Sequence, residues 1–460
     1  MNRKTKGVDL SIAEKRAFLE DFFTQNTSAF INSDIASSNI INLFNDLLLK
    51  QPKKIPEEQY CFSLYPEYVD LLKQFQELKD AGVDNPYFIR HEGVNSNVSV
   101  ISGKEVINFS SYNYLGLSGN VNISNAAKQS IDKFGTSVSA SRVASGEIPL
   151  HRELELAIAD FIGSEDSIVY IGGHPTNVTT IGHLLGSSDL IVHDAFIHNS
   201  AVEGCKLSGA HRISFPHNDW QALDKILCSQ RHNYRRVLII IEGTYSMDGD
   251  IPDLPKFIEL RKKHKVFLMV DEAHSIGVLG ERGRGIGEYF SVNPHDVDLW
   301  MGTLSKAFAS CGGYIAGSKS LIEYLKYTAP GFVYSVGISP SNAAAALAAL
   351  NLIKNDSSSI QRLHNNSKLF LSLAKEIGLD TGSSHNTPVV PVIVGDSLKC
   401  LKLSQELLSV GVNVRPIVYP AIPNNASRLR FFISATHTDV QISFTVNETA
   451  KILHQISSTT

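Results

Sequence analysis

The chain reads as an α/β fold in which a large domain with a mostly parallel central sheet is followed by a smaller C-terminal α/β domain and preceded by a helical N-terminal extension. Between about residues 104 and 345, short apolar runs alternate with helix-patterned segments, the rhythm of strand–helix–strand units. The runs at 169–171, 237–241 and 266–270 are rich in β-branched residues and lack polar alternation, as parallel strands covered on both faces do. Farther on, 387–394, 404–408, 412–418 and 428–435 read strand, helix, strand, strand before a final helix near His454.

Taken in order, the extension covers residues 1–85. Ser11 followed by Glu14 has capping-box spacing, and Phe18, Leu19, Phe22 and Phe23 then recur at helical intervals, which predicts a helix over 11–25. After a spacer at 51–58, Tyr68, Leu71, Leu72, Phe75 and Leu78 form one stripe, with Gly82 as its stop signal. The large domain is expected over 86–345 and the small one over 346–460.

Composition narrows the function. The 460 residues carry 46 acidic and 42 basic side chains, a formal net charge of −4, too balanced for a nucleic-acid binder, which carries a clustered basic excess. Five scattered cysteines, an odd number without a CxxC pair, fit neither a disulfide framework nor a zinc cluster, and no metal is expected. The first twenty residues turn charged before an apolar signal core can form, and the apolar stretch 336–353 is broken by serines, a proline and asparagines, unlike a membrane span. A cytoplasmic location is the expectation.

In an open α/β sheet, ligands bind beyond the carboxyl ends of the strands. There the sequence sets Asp271 and His274 in DEAHS, residues 242–250 in EGTYSMDGD, and Thr303 and Lys306 in GTLSKAF. An acid at a strand end, a histidine three residues on and a lysine about 35 residues downstream suit pyridoxal phosphate. The lysine forms a Schiff base with the aldehyde, and the carboxylate keeps the ring nitrogen protonated. Gly172, Gly173, His174 and Pro175 follow a strand run and open a helix, a place where backbone N–H groups and the helix dipole face a phosphate.

With these motifs in hand, the sequence resembles the α-oxoamine synthases, fold-type I pyridoxal phosphate enzymes that include 8-amino-7-oxononanoate synthase, 5-aminolevulinate synthase, glycine C-acetyltransferase and serine palmitoyltransferase. The resemblance spans about residues 104–438. It rests on NFSSYNYLGLS, HRELE, HDAFIHNS, FPHND, EGTYSMDGD, VDEAHSIGVLGERGRGIGE, GTLSKAFASCGGYIAG and RLRFFISATHT. It implies Lys306 as the Schiff-base lysine and Asp271 as the partner of the ring nitrogen. His274 and Ser246 would serve the phenolic oxygen, and Thr303 the phosphate, with the backbone of Gly173 and His174. His198 in HDAFIHNS would lie on the ring face. Arg430 would bind the amino-acid carboxylate, with Arg428 as runner-up, and Asn113 would stand near that carboxylate. The implied reaction is a decarboxylative Claisen condensation of a small α-amino acid with an acyl thioester, giving an α-aminoketone, in a homodimer; the alternative is an aminotransferase or other pyridoxal phosphate enzyme on the same fold.

The chain departs from the family's usual pattern at three places. Gly172, Gly173 and His174 stand where Ser/Thr-Gly-aromatic is usual. Tyr334, Ser335, Val336 and Gly337 stand where a hydroxyl reaches the neighbouring subunit's phosphate, and GTSVSASRVASGE replaces the glycine-rich segment of the biotin enzyme. These segments and the extension are similar to members of secondary-metabolite assembly lines. That likeness makes an acyl-carrier protein an expected partner and the extension a docking arm, beside the plainer reading that it packs on the main body or a partner subunit.

Overall fold

The computed structural model describes residues 55–423 and 425–458, and the chain divides into two units, residues 1–81 and 82–460. The helix expected over 11–25 lies outside the described residues. In the first unit the second amphipathic stripe forms the helix Pro66–Asp80, with Pro66 in its first turn and Lys79 in its last, the placement that a fixed φ and the helix dipole favour. Tyr68, Leu71, Leu72 and Phe75 are exposed.

The second unit opens with an antiparallel hairpin, β1 (Val98–Ile101) and β2 (Lys104–Asn108). Its main layer is a seven-stranded sheet of β3 (Asp166–Tyr170), β4 (Leu190–Asp194), β5 (His211–Phe215), β6 (Val237–Glu242), β7 (Phe267–Asp271), β8 (Leu299–Thr303) and β9 (Gly313–Gly317) in the order 3-9-8-7-6-4-5. Strand β9 runs antiparallel to both neighbours, and the other pairs are parallel. Every residue of β3, β4, β6, β8 and β9 is buried, because helices cover both faces. Each buried aliphatic side chain here contributes on the order of 1.5–3 kcal/mol, which makes this layer a rigid platform for the loops at its edge.

Sequence patterning misses β4, β5 and β9. Strand β4 ends in the polar pair His193 and Asp194, β5 is exposed along much of its length, and β9 is bracketed by glycines, so none presents a clean apolar run. Strand β3 begins earlier than the run at 169–171 because its polar start is satisfied internally: Ser167 Oγ donates to the Glu155 carbonyl at 2.7 Å and Arg152 Nη1 to Asp166 Oδ1 at 2.6 Å.

The C-terminal layer contains β10 (Val389–Gly395), β11 (Val412–Asn413), β12 (Arg415–Ile417) and β13 (Ser427–Phe432). The single strand expected over 412–418 is instead two strands that serve different sheets: β11 pairs in parallel with β2, whereas β12 pairs with β13, which in turn pairs with β10. The expected helix at 404–408 runs over Ser397–Ser409, and the last helix over Asp439–Ser458. Phe109, just after β2, packs in this layer against Phe370 and Phe431, with ring centroids 5.7 and 5.6 Å away. The small layer is therefore built from both ends of the unit.

One buried ionic group ties the large sheet to its covering helices. Glu155 is fully buried and accepts from Arg142 Nη1 at 2.6 Å, from Lys326 Nζ at 2.7 Å and from the Val169 backbone N–H at 3.2 Å. Removing one partner of a buried pair strands the other charge in low dielectric. Glu155→Ala is expected to lower unfolding free energy by about 3–5 kcal/mol, measured as a lower denaturant midpoint at unchanged slope.

Candidate active site

A cavity of about 340 Å³ opens at the carboxyl ends of β3, β4, β6, β7 and β8, lined also by Arg430 of β13 and by Tyr112. The parallel strands that build it all end on the same side, so each contributes one loop to the same space. Gly173, His174, His198, Ser246, Asp271, His274, Thr303, Lys306 and Arg430 line this cavity, whereas Asn113 and the runner-up Arg428 do not. The Asn113 side chain closes a turn: its Oδ1 accepts the Ser118 N–H at 3.1 Å and its Nδ2 donates to the Asn95 carbonyl at 3.4 Å. Tyr112, one residue earlier, takes the place on the cavity wall.

Lys306 projects from the turn after β8, its Nζ 2.8 Å from His274 Nε2 and 5.4 Å from the centre of the Tyr112 ring. Burial pushes its amine down to about 8, against the pull of Asp271 and Glu242 and with Arg430 adding to the fall. His274 is buried, and its Nδ1 lies 2.7 Å from the Tyr114 hydroxyl. Burial, together with Lys306, Arg430 and His198, holds the His274 imidazole well below its ordinary range, hence neutral.

Asp271 ends the central strand β7. Its Oδ1 accepts the Ala273 N–H at 2.9 Å, and its Oδ2 accepts Asn177 Nδ2 at 2.8 Å. Glu242 stands opposite it in register on β6. Burial and the nearby Asp271 charge raise the Glu242 carboxyl well above the usual range, and its Oε1 has no partner among the described residues. Thr303 Oγ1 donates to the Gly312 carbonyl at 3.0 Å and accepts the Ser305 N–H at 3.2 Å.

Arg428 and Arg430 lie two residues apart on β13 and meet different fates. Arg428 is held by Asp248 and by the Met247 carbonyl. Arg430 reaches the Ser246 carbonyl at 3.0 Å and lies 4.6 Å from the Phe432 ring centre, and among the described residues no carboxylate pairs with it. A guanidinium on a cavity wall without an acid is free to take one from a ligand.

Sequence reasoning missed Tyr112, Asn177, Ser200, Met247 and Ser305 as wall residues. Asn177 stands one helical turn past Gly173 and Ser200 two residues past His198, spacings that could have drawn notice. Tyr112 and Met247 reach the wall only through tertiary packing. Elsewhere, a cavity of about 370 Å³ near Arg236, Arg261 and Asp298 contains none of these groups. Asp224, Cys228 and His264 come within ligand distance of one another at the surface, but Lys263 spans both Asp224 oxygens at 2.8 and 2.9 Å, which makes that group an ion-pair clasp.

The model of the aminotransferase class I and II family matches residues 104–447. The chain is 36% identical over 390 residues to the 8-amino-7-oxononanoate synthase of Thermoanaerobacter pseudethanolicus, covering 85% of this chain and 98% of that one. It is 39% identical to the enzyme of the same name from Thermosipho melanesiensis, covering 84% and 98%. Among solved structures, the serine palmitoyltransferase of Sphingomonas wittichii aligns with a TM-score of 0.82 at 31% identity, over 86% of this chain and 99% of that one. That of S. paucimobilis, holding a PLP adduct of myriocin, aligns with a TM-score of 0.81 at 30% identity, over 86% and 99%.

Behind the cavity, His217 of FPHND joins two of the loops that form it. Its Nδ1 lies 2.9 Å from Asp194 Oδ1 and its Nε2 2.8 Å from Asp250 Oδ2. Asp194 starts the loop that carries His198, and Asp250 ends the one that carries Ser246. Burial opposes the charge, but the two aspartates outweigh it and raise the imidazole to about 10. A group whose folded pKa is raised stabilises fully below its unfolded pKa, near 6.5 for histidine, and the gain is lost as pH rises through the folded value. The melting-temperature gap between wild type and His217→Gln is therefore expected to be widest below about pH 6.5 and to close as pH approaches 10, followed by thermal unfolding across that range.

Proposed function

The chain belongs to the α-oxoamine synthases of the aminotransferase class I and II family, and from that premise we propose how its own residues run the family's reaction. It is a pyridoxal-phosphate-dependent acyltransferase that condenses an α-amino acid with an acyl thioester, with loss of CO₂. When bound, the cofactor supplies an electron sink for the negative charge that develops at the amino acid's α-carbon.

The cavity's residues fit that cofactor. A Cβ on Gly173 would lie 2.9 Å from Thr303 Oγ1, and one on Gly313 would lie 2.8 Å from Gly173 Cα, so only glycines leave this corner open. The helix Gly173–Leu184 starts there with no side-chain cap, leaving first-turn N–H groups and the positive end of the dipole for a phosphate. Gly173, His174 and Thr303 would hold that phosphate, Asp271 the ring nitrogen, and His274 and Ser246 the phenolic side. His198 would lie against the ring, and Lys306 would bind the aldehyde carbon.

The observation that carries the assignment is Lys306, an amine whose proton affinity is lowered to about 8, in one cavity with Asp271 and with Arg430, which pairs with no carboxylate among the described residues. The free amine of Lys306 would be a base of suitable strength to take the amino acid's α-proton. His274, itself backed by the Tyr114 hydroxyl, holds the amine in place at 2.8 Å. Arg430 holds the amino acid's carboxylate and so aims the α-carbon at Lys306. The acyl group arrives on coenzyme A or a carrier protein, and the active form is a homodimer in the cytoplasm.

Wild type reconstituted with pyridoxal phosphate is expected to show a visible absorbance band that borohydride bleaches, and to release thiol only when amino acid and acyl thioester are both present. Lys306→Ala is expected to lose the bleachable band and at least about 10²–10⁴-fold of turnover. The rate of cofactor loading on the wild type should rise with pH through about 8, because the free amine is the nucleophile. Arg430→Lys is expected to raise KM for the amino acid by roughly tenfold or more, the cost of a bidentate charge-assisted contact, while KM for the thioester stays near its wild-type value.

A further inference from the structure

We infer that Asn177 is a positioning residue that, acting through Ser200, holds His198 as the neutral tautomer with its proton on Nε2. This deepens the reading of His198 given above and rests on it.

The assignment follows by elimination along a buried chain of hydrogen bonds. Asn177 Nδ2 lies 2.8 Å from Asp271 Oδ2 and 2.9 Å from Ser200 Oγ. A carboxylate only accepts, so the amide must present its NH₂ to Asp271, and the second hydrogen of that NH₂ points to Ser200 Oγ. Reversing the amide would set its oxygen against the carboxylate. The orientation holds even though it leaves Asn177 Oδ1 buried without a partner among the described residues. Ser200 Oγ, having accepted one hydrogen, has its own to give, and His198 Nδ1 lies 2.7 Å away. The direction of that bond is set by a group that only donates: His198 caps the helix Asn199–Ser208, and its Nδ1 accepts the Ser200 backbone N–H at 3.2 Å. Nδ1 is thus an acceptor and carries no proton, and the Ser200 hydroxyl donates to it. Asn177, Ser200 and Asp271 are all buried, at 1, 1 and 4% exposure, so water does not compete for these hydrogens.

The functional consequence is a division of labour. A neutral ring with Nδ1 blocked presents Nε2–H, a donor for a substrate or cofactor oxygen. A second proton would have to land on Nδ1 against two donors. The groups facing His198 from the surrounding elements are Asp271 on β7, Lys306 after β8, His174 on the helix Gly173–Leu184 and Arg430 on β13, with Glu242 on β6 contacting its backbone amide. Burial, Lys306, His174 and Arg430 oppose protonation, and Asp271 favours it. His198 then donates hydrogen bonds while proton transfer falls to Lys306.

Ring-nitrogen NMR of full-length protein labelled with ¹⁵N-histidine tests this, with and without pyridoxal phosphate, the His198 signals being assigned by their loss in His198→Gln. In wild type near neutral pH, Nε2 is expected to be protonated and Nδ1 to show the shift of an unprotonated nitrogen. Asn177→Ala and Ser200→Ala are expected to raise the His198 titration midpoint by about one pH unit, the worth of one hydrogen bond, whereas Ser200→Thr, which keeps the hydroxyl, restores the wild-type midpoint. A proton on Nδ1 in wild type overturns the proposal, and so does an unchanged midpoint in both alanine variants. The wild-type spectrum decides the tautomer even where Asn177→Ala fails to fold. A wild type that binds no pyridoxal phosphate would defeat the functional reading, while the ring-nitrogen shifts would still decide this one.

Discussion

A carboxylate planted at the carboxyl end of the central strand sets the electrostatics of the whole cavity. Asp271 ends β7, the middle of the seven strands, and is buried with two donors already on its oxygens. Its field raises the neighbouring Glu242 carboxyl and partly offsets the burial that lowers Lys306 and His198. Without it, burial would act on the histidine unopposed and on the lysine against Glu242 alone. One residue thus couples the Glu242 carboxyl, the Lys306 amine and the His198 imidazole.

The architecture exists to hold that charge steady. Parallel strands buried on both faces deliver their ends to a single edge, and close-packed interiors move little under load. The loops beyond that edge are then tied to one another. His217 bridges Asp194 and Asp250, Asn177 bridges Asp271 and Ser200, and Tyr114 backs His274. The C-terminal layer adds Arg430 from a different sheet, so the cavity has a cationic wall whose position depends on the packing of β13 against β10 and β12.

Much of this was legible beforehand, for reasons that can be named. Strands β6 and β7 announce themselves because a strand covered on both faces is mostly apolar, and their polar last residues, Glu242 and Asp271, then mark the edge of the sheet. Strands β4 and β9 stayed hidden because burial of short polar or glycine-bracketed segments is decided by neighbours far away in the chain. The run at 412–418 looked like one strand because periodicity is blind to which partner each half meets. Asn113 and Tyr112 are adjacent and alike in context, and only the turn that Asn113 closes with Ser118 decides that the tyrosine is the one facing the cavity.

The sequence by itself determined the chemistry: an acid, a histidine and a lysine at strand ends, a glycine turn before a helix and an arginine pair downstream are residue types whose intrinsic reactivity already narrows the cofactor. Tertiary structure alone decided how each group is tuned and oriented. Depressing an amine to about 8 takes burial by residues distant in the chain. Telling Arg430 from Arg428 takes Asp248, which sits beside one of them and not the other. The same holds for His198, whose tautomer depends on an asparagine 21 residues earlier and an aspartate 73 residues later. Hydrogen-bond direction is a property of atoms in space, which residue spacing along the chain does not encode.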